Sequence, residues 1–141
     1  MRAYTGYIDG NGGAYWINHR ILRYADVYLM LAEASNELGD GATAAASLEK
    51  VRDRASGFLG AGRTVVPYIP FTTQEAMRTA IKNERRWEFA MEGYRFYDLV
   101  RWGDAQNELG SLGYTPRCKY YPIPQKAIDV SNGVLVQNPE W

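Results

Sequence analysis

Two stretches of the chain, 18–56 and 72–109, contain no proline and place apolar residues at helical spacing. From about Ile21 to Leu38, the residues Tyr24, Val27, Tyr28, Leu31, Ala34 and Leu38 recur at intervals of three and four. That spacing predicts a helix with one apolar face turned inward. Gly39 is its stop signal and Asp40 a ready N-cap for a second helix. The second runs from about Ala42 to Ser56, with Ala45, Leu48, Val51 and Ala55 as its face and Gly57 as its end. A connection this short makes the two helices antiparallel neighbours.

The span 57–71 holds three glycines and two prolines and is expected as a loop. Thr72-Thr73-Gln74-Glu75 fits a capping box, with the Thr72 hydroxyl and the Glu75 side chain satisfying each other's backbone amides. A third helix follows to about Glu92, with Ala76, Met77, Ala80, Ile81, Trp87 and Met91 inward. Gly93 ends it. A fourth runs from Tyr94 to about Glu108, with Phe96, Leu99 and Val100 inward. Segment 1–19 is rich in Gly, Tyr and Asn and is expected as loop or extended chain. The tail 109–141 holds four of the six prolines and is expected to be irregular. The fold class is therefore all-α: two antiparallel helix pairs over 20–108, in a layout of tetratricopeptide type. Such repeats usually need about three units to stand alone, and this chain supplies two.

Composition narrows the function. The chain has 141 residues, 16 basic and 16 acidic, for a net charge of zero. A nucleic-acid binder or a polybasic membrane anchor needs a basic surplus, so neither is expected. The length suits one domain over 1–141. Arg outnumbers Lys twelve to four, which suits fixed ion pairs with carboxylates. One cysteine, Cys118, and one histidine, His19, exclude the common Cys/His zinc sites. No nucleophile elbow and no phosphate loop is present. No metal and no cofactor is expected. No apolar run reaches the roughly 18 residues of a membrane span.

The densest charge cluster is Glu84-Arg85-Arg86-Trp87-Glu88, followed by Glu92, Arg95, Asp98 and Arg101. One reading is a carboxylate pair for acid–base work, as in a glycosidase, with Glu88 as a member. The other is an Arg–carboxylate lattice of Arg85, Glu88, Glu92, Arg95, Asp98 and Arg101 that fixes a helical hairpin at Gly93. The alternation of charge favours the lattice, since nothing sets two carboxylates apart. Aromatic side chains make up 13% of the chain, and many fall in loops. Tyr15 and Trp16 are candidate ligand-binding residues, because flat rings stack on sugars. The alternative is that the loop rings drape over the helices and are buried. His19 reads as a surface or capping residue and Cys118 as a small buried hydrophobe.

Five blocks carry a resemblance. They are Arg23-Tyr24-Ala25-Asp26-Val27-Tyr28-Leu29-Met30-Leu31-Ala32-Glu33-Ala34, then Leu48 to Ala55, then Glu84 to Gly103, then Tyr121-Pro122-Ile123-Pro124, and finally Gln137-Asn138-Pro139. The third fits the pattern E-R-R-x-E-x-x-x-E-G-x-R-x-x-D-L-x-R-W-G. Together they resemble, in order, the C-terminal part of SusD/RagB-family proteins. Glu49 replaces a common Asn, and Glu140-Trp141 a common Gly-aromatic ending. The resemblance implies a helical, tetratricopeptide-like scaffold and no catalysis. It implies a glycan- or nutrient-binding lipoprotein of the outer membrane, facing outside the cell and acting with a SusC-like TonB-dependent transporter. It implies that this chain is the C-terminal piece of a longer one, mainly scaffold and partner-binding, with most ligand contacts elsewhere. The alternative function is a tetratricopeptide-type adaptor that grips a peptide in its groove.

Overall fold

A computed structural model describes residues 21–59 and 66–141. The expectations for 1–19, including Tyr15, Trp16 and His19, lie outside the described residues. Among the described residues the regular elements are all helical. The chain divides into two compact units, Met1–Glu84 and Arg85–Trp141. The boundary falls inside the span 20–108 that the sequence reads as one set of hairpins.

In the first unit, α1 (Tyr24–Glu37) and α2 (Gly41–Leu59) form the expected hairpin. The turn between them is fully accounted for by backbone chemistry. Gly39 takes φ +86°, its N–H donates to the Asn36 carbonyl at 3.1 Å, and the Asp40 N–H donates to the Ser35 carbonyl at 2.8 Å. This is a Schellman closure, which glycine makes without a Cβ penalty. Asp40 then caps α2 by accepting the Thr43 N–H at 3.0 Å.

The inward face of α1 differs from expectation. Leu29, Ala32, Ser35, Asn36 and Asp26 are buried, while Tyr24, Val27, Leu31 and Leu38 are exposed. The reason is size and polarity together. α2 presents Ala44, Ala45, Ser47 and Leu48 as buried residues, and a small-residue face lets two helix axes approach closely. Asn36 also fixes the rotation of α1. Its amide donates to the Gln74 carbonyl at 3.0 Å, and the Gln74 amide donates back to the Asn36 carbonyl at 2.7 Å.

On α2, Ala45, Leu48 and Val51 are buried as expected. Gly57 does not end the helix, which runs on to Leu59. A glycine stops a helix by turning left-handed, and Gly57 is not among the positive-φ residues.

α3 spans Gln74–Glu88. Its cap is Thr73, one residue later than the sequence suggests: the Thr73 hydroxyl accepts the Ala76 N–H at 3.1 Å. Met77 and Ile81 are buried, but Ala76, Trp87 and Met91 are exposed. Positions 77, 81, 84 and 85 share one helical face, and position 87 lies off it. Met91 has left the helix altogether, with φ 67° in the turn that Gly93 completes at φ 85°.

In the second unit, α4 (Arg95–Trp102) and α5 (Ala105–Leu109) replace the single expected helix. Gly103 turns left-handed at φ 78°, and the Asp104 N–H donates to the Leu99 carbonyl at 2.9 Å. The tail is more ordered than expected. It contains 3-10 turns at Gly110–Leu112 and Pro116–Lys119 and a short helix α6, Gln125–Val130.

Candidate functional site

The charged cluster of the sequence resolves into separate bonded groups. Asp98, on the first turn of α4, is the hub of one. Its Oδ2 accepts Arg85 Nε at 2.8 Å and its Oδ1 accepts Arg101 Nε at 2.9 Å. The side chains of Asp98 and Arg85 are 6% and 5% exposed, whereas Arg101 is 43% exposed. The Arg85 guanidinium also lies over the Phe89 ring at 5.0 Å, and Phe89 packs on Tyr94 at 4.9 Å. This clasp fixes the turn between Glu88 and Arg95. Arg95 does not join it and reaches Glu108 at 3.5 Å. Glu88 is half-buried at the end of α3 and Glu92 is exposed in the following turn. The Asp98 carboxylate has both oxygens engaged by guanidiniums. Its chemistry here is to hold backbone in place.

A second buried cluster belongs to the first unit and was not singled out from sequence. Arg52 on α2 donates to Glu84 Oε2 at 2.5 Å and to the Pro67 carbonyl at 2.7 Å. Glu49, one turn earlier, accepts the Ile69 N–H at 2.9 Å and lies 3.5 Å from Arg52 Nε. All three side chains are about 6–7% exposed. They tie the 67–69 segment and α3 to α2. The signal was present: Glu49 and Arg52 are three residues apart, and Arg52 is four residues after the inward Leu48.

The aromatic side chains gather on the second unit. The Tyr97 and Tyr121 hydroxyls are 3.4 Å apart, and both rings are exposed. The shared hydrogen bond pushes the Tyr121 phenol above its ordinary pKa. Arg101 covers Trp102 at 4.7 Å, Arg117 covers Trp141 at 4.8 Å, and Lys119 covers Tyr120 at 5.4 Å. Phe96, Leu109, Leu112, Tyr114 and Cys118 line an open apolar hollow of about 230 Å³. Cys118 is half-buried there, and the Thr115 hydroxyl beside it at 3.5 Å pulls its thiol pKa down. Among the described residues no cluster of His, Cys, Asp and Glu could hold a metal ion. Tyr15 and Trp16, the two ligand candidates from sequence, lie outside the described residues.

The tail is closed by a pair of side-chain amides. Gln137 accepts the Ile123 N–H at 2.8 Å and donates to the Ile123 carbonyl at 2.9 Å, as a neighbouring strand would. Asn138 donates to the Tyr121 carbonyl at 2.5 Å. The Trp141 indole donates to the carbonyls of Arg117 and Tyr120, both at 3.1 Å. Tyr121-Pro122-Ile123-Pro124 and Gln137-Asn138-Pro139, two blocks that resemble one family ending, thus bind each other.

Comparison with known proteins decides the family. A family model described as the SusD family matches residues 5–119. The chain belongs to the SusD family. SusD-like protein P25 of Formosa agariphila is 39% identical over 131 residues, covering 86% of this chain and 24% of the relative. SusD-like protein P2 of the same organism is 30% identical, covering 98% of this chain and 29% of the relative. Among solved structures, a SusD-like protein from Bacteroides fragilis superposes with a TM-score of 0.68 at 29% identity, over 85% of this chain and 25% of that one. A SusD homolog from Bacteroides thetaiotaomicron gives 0.67 at 29% identity, over 96% and 30%. The chain thus spans about a quarter of the length of the SusD-family proteins it matches. The helical scaffold read from sequence is the scaffold of that family. None of its described helices is long and apolar enough to cross a membrane.

Proposed function

We propose that this chain is the C-terminal part of a glycan- or nutrient-binding component of an outer-membrane uptake complex, acting with a SusC-like TonB-dependent transporter. Membership of the SusD family carries the proposal. In this reading the whole protein is lipid-anchored on the outer face of the outer membrane. It captures ligand without turning it over. These 141 residues serve mainly as scaffold and partner-binding surface. The buried ion-pair clusters support the scaffold role, because their carboxylates are engaged in holding loops and turns. Capture without catalysis also fits the chemistry: stacking rings and polar rims hold a sugar without a proton-transfer pair.

The test is to isolate the native protein from gently solubilised cell envelopes. The expected result is recovery in the outer-membrane fraction together with a TonB-dependent transporter, with the protein cleaved when intact cells are treated with protease. Recovery as a soluble protein bound to peptide partners overturns the proposal and favours the tetratricopeptide-type adaptor.

A further inference from the structure

The turn after α6 is Ser131-Asn132-Gly133-Val134. It closes on a single backbone hydrogen bond, from the Val134 N–H to the Ser131 carbonyl at 3.2 Å. Asn132 has φ 52° and Gly133 φ 84°. Positive φ at both central residues is the type I′ arrangement, which asparagine followed by glycine adopts readily. Asn132, Gly133 and Val134 are all exposed. Among the described residues, neither the Asn132 side-chain amide nor the Gly133 N–H has a hydrogen-bond partner. A backbone nitrogen in this position can attack the side-chain carbon of the residue before it. The attack needs a following residue with no side chain in the way, a backbone free to rotate, and water at both groups. The other described asparagines each lack one of these. Asn36 is buried within α1, and its amide is bonded to the Gln74 carbonyl. Asn83 lies inside α3 and Asn107 inside α5, where helical geometry fixes the backbone, and each precedes a glutamate. Asn138 precedes Pro139, whose nitrogen carries no proton to lose.

We propose that Asn132 is a site of spontaneous deamidation and isoaspartate formation, with water as the co-reactant. The Gly133 N–H gives its proton to hydroxide, and the nitrogen bonds to Asn132 Cγ. The Cγ–Nδ2 bond breaks, and ammonia leaves with a proton taken from water. What remains is a succinimide ring. Water then opens the ring at one of its two carbonyl carbons. Breaking the bond between Gly133 N and Cγ gives aspartate. Breaking the bond between Gly133 N and the main-chain carbonyl carbon of residue 132 gives isoaspartate, in which the chain runs through the side chain. Nothing is oxidised or reduced. The isoaspartyl product lengthens the chain path inside the turn, so the bond from Val134 to Ser131 no longer closes. The Ser131 hydroxyl accepts the Leu135 N–H at 2.9 Å and donates to the Ile128 carbonyl at 2.7 Å. The change therefore reaches the end of α6. Either product also sets a new carboxylate three residues after Asp129.

The proposal goes beyond the capture function and does not depend on which ligand or transporter the protein meets. The test incubates the complete polypeptide, freshly produced, in mildly alkaline buffer made with heavy-oxygen water. A synthetic peptide of residues 128–136 in the same buffer serves as the clock, and sampling stops when it is fully converted. Peptide mapping by mass spectrometry, with electron-transfer fragmentation, then separates isoaspartate from aspartate at each position. The expected result is a carboxyl group carrying heavy oxygen in place of the Asn132 amide, with isoaspartate the larger share. Conversion should be several-fold faster than in mildly acid buffer, because the attacking nitrogen must first lose its proton. Asn36, Asn83 and Asn107 should keep their amides over the same interval. Asn132→Gln, whose side chain would have to close a larger ring, should also keep its amide. An intact Asn132 when the clock peptide is spent, equal conversion at Asn107, or aspartate without isoaspartate overturns the proposal.

Discussion

At the scale of single residues, two close contacts decide more than their neighbours. Asp98 is held by Arg85 and Arg101 at 2.8 and 2.9 Å, but only Arg85 is buried with it. Asp98→Ala removes the carboxylate from a buried ion pair, and breaking a buried pair in this way costs about 3–5 kcal/mol. Arg101→Ala removes a half-exposed partner and leaves Asp98 bonded to Arg85, so a loss of about 1 kcal/mol or less is expected. Urea denaturation of both variants measures the difference. Equal, small losses would mean that the clasp does not hold the turn. The second contact is at Gly41, the first residue of α2. A Cβ added there would stand 2.4 Å from the Phe71 ring. Gly41→Ala must therefore displace Phe71, and overpacking of this kind costs about 1–3 kcal/mol. The melting temperature should fall by several degrees, whereas Gly57→Ala, which meets nothing within 4 Å inside a helix, should leave it unchanged or raise it.

At the scale of elements, the existence and order of the helices could be read from spacing, caps and glycines. Rotations and breaks could not. The strongest apolar face of α1 is the one left outside, because the hairpin selects small residues and Asn36 locks onto Gln74. A single-helix pattern cannot register either partner. The fourth helix divides at Gly103, since apolar spacing continues across a glycine that turns left-handed. The ion-pair lattice was legible as a cluster. Its assignment was not, because Arg95 turns to Glu108 and Glu84 serves α2 through Arg52. Proline content made the tail look irregular, and the Gln137 clasp that orders it spans fourteen residues. That clasp is itself testable. Gln137→Ala removes both hydrogen bonds to Ile123 and leaves its amide and carbonyl to water. A loss of about 1–2 kcal/mol is expected. Faster hydrogen exchange should appear at Ile123 and spread through 120–124. Unchanged protection at Ile123 would mean that the Asn138 and Trp141 contacts hold the tail without the Gln137 clasp.

At the scale of the whole molecule, charge balance makes acid the informative variable. Two carboxylates at the α1–α2 turn have lowered pKa values. Glu37 is lowered first by its hydrogen bonds from Arg78, and Asp40 first by the Thr43 side chain and then its backbone N–H. A lowered folded pKa means that the unfolded chain takes up the proton first. The stability these groups contribute is therefore complete above their unfolded values, about 4.3 for Glu and 3.9 for Asp. It is lost as the pH falls through the lowered folded values. The same fall in pH neutralises acidic groups while the 16 basic side chains stay charged, which adds repulsion. The melting temperature is thus expected to be level between about pH 5 and 7 as far as these groups act, and to drop below about pH 4. Substituting Glu37→Gln together with Asp40→Asn should flatten that acid limb at the expense of some stability at neutral pH. The Glu37–Arg78 share is half in solvent, so high salt should reduce it. An acid limb of the same steepness in the double variant would place the acid-sensitive groups elsewhere.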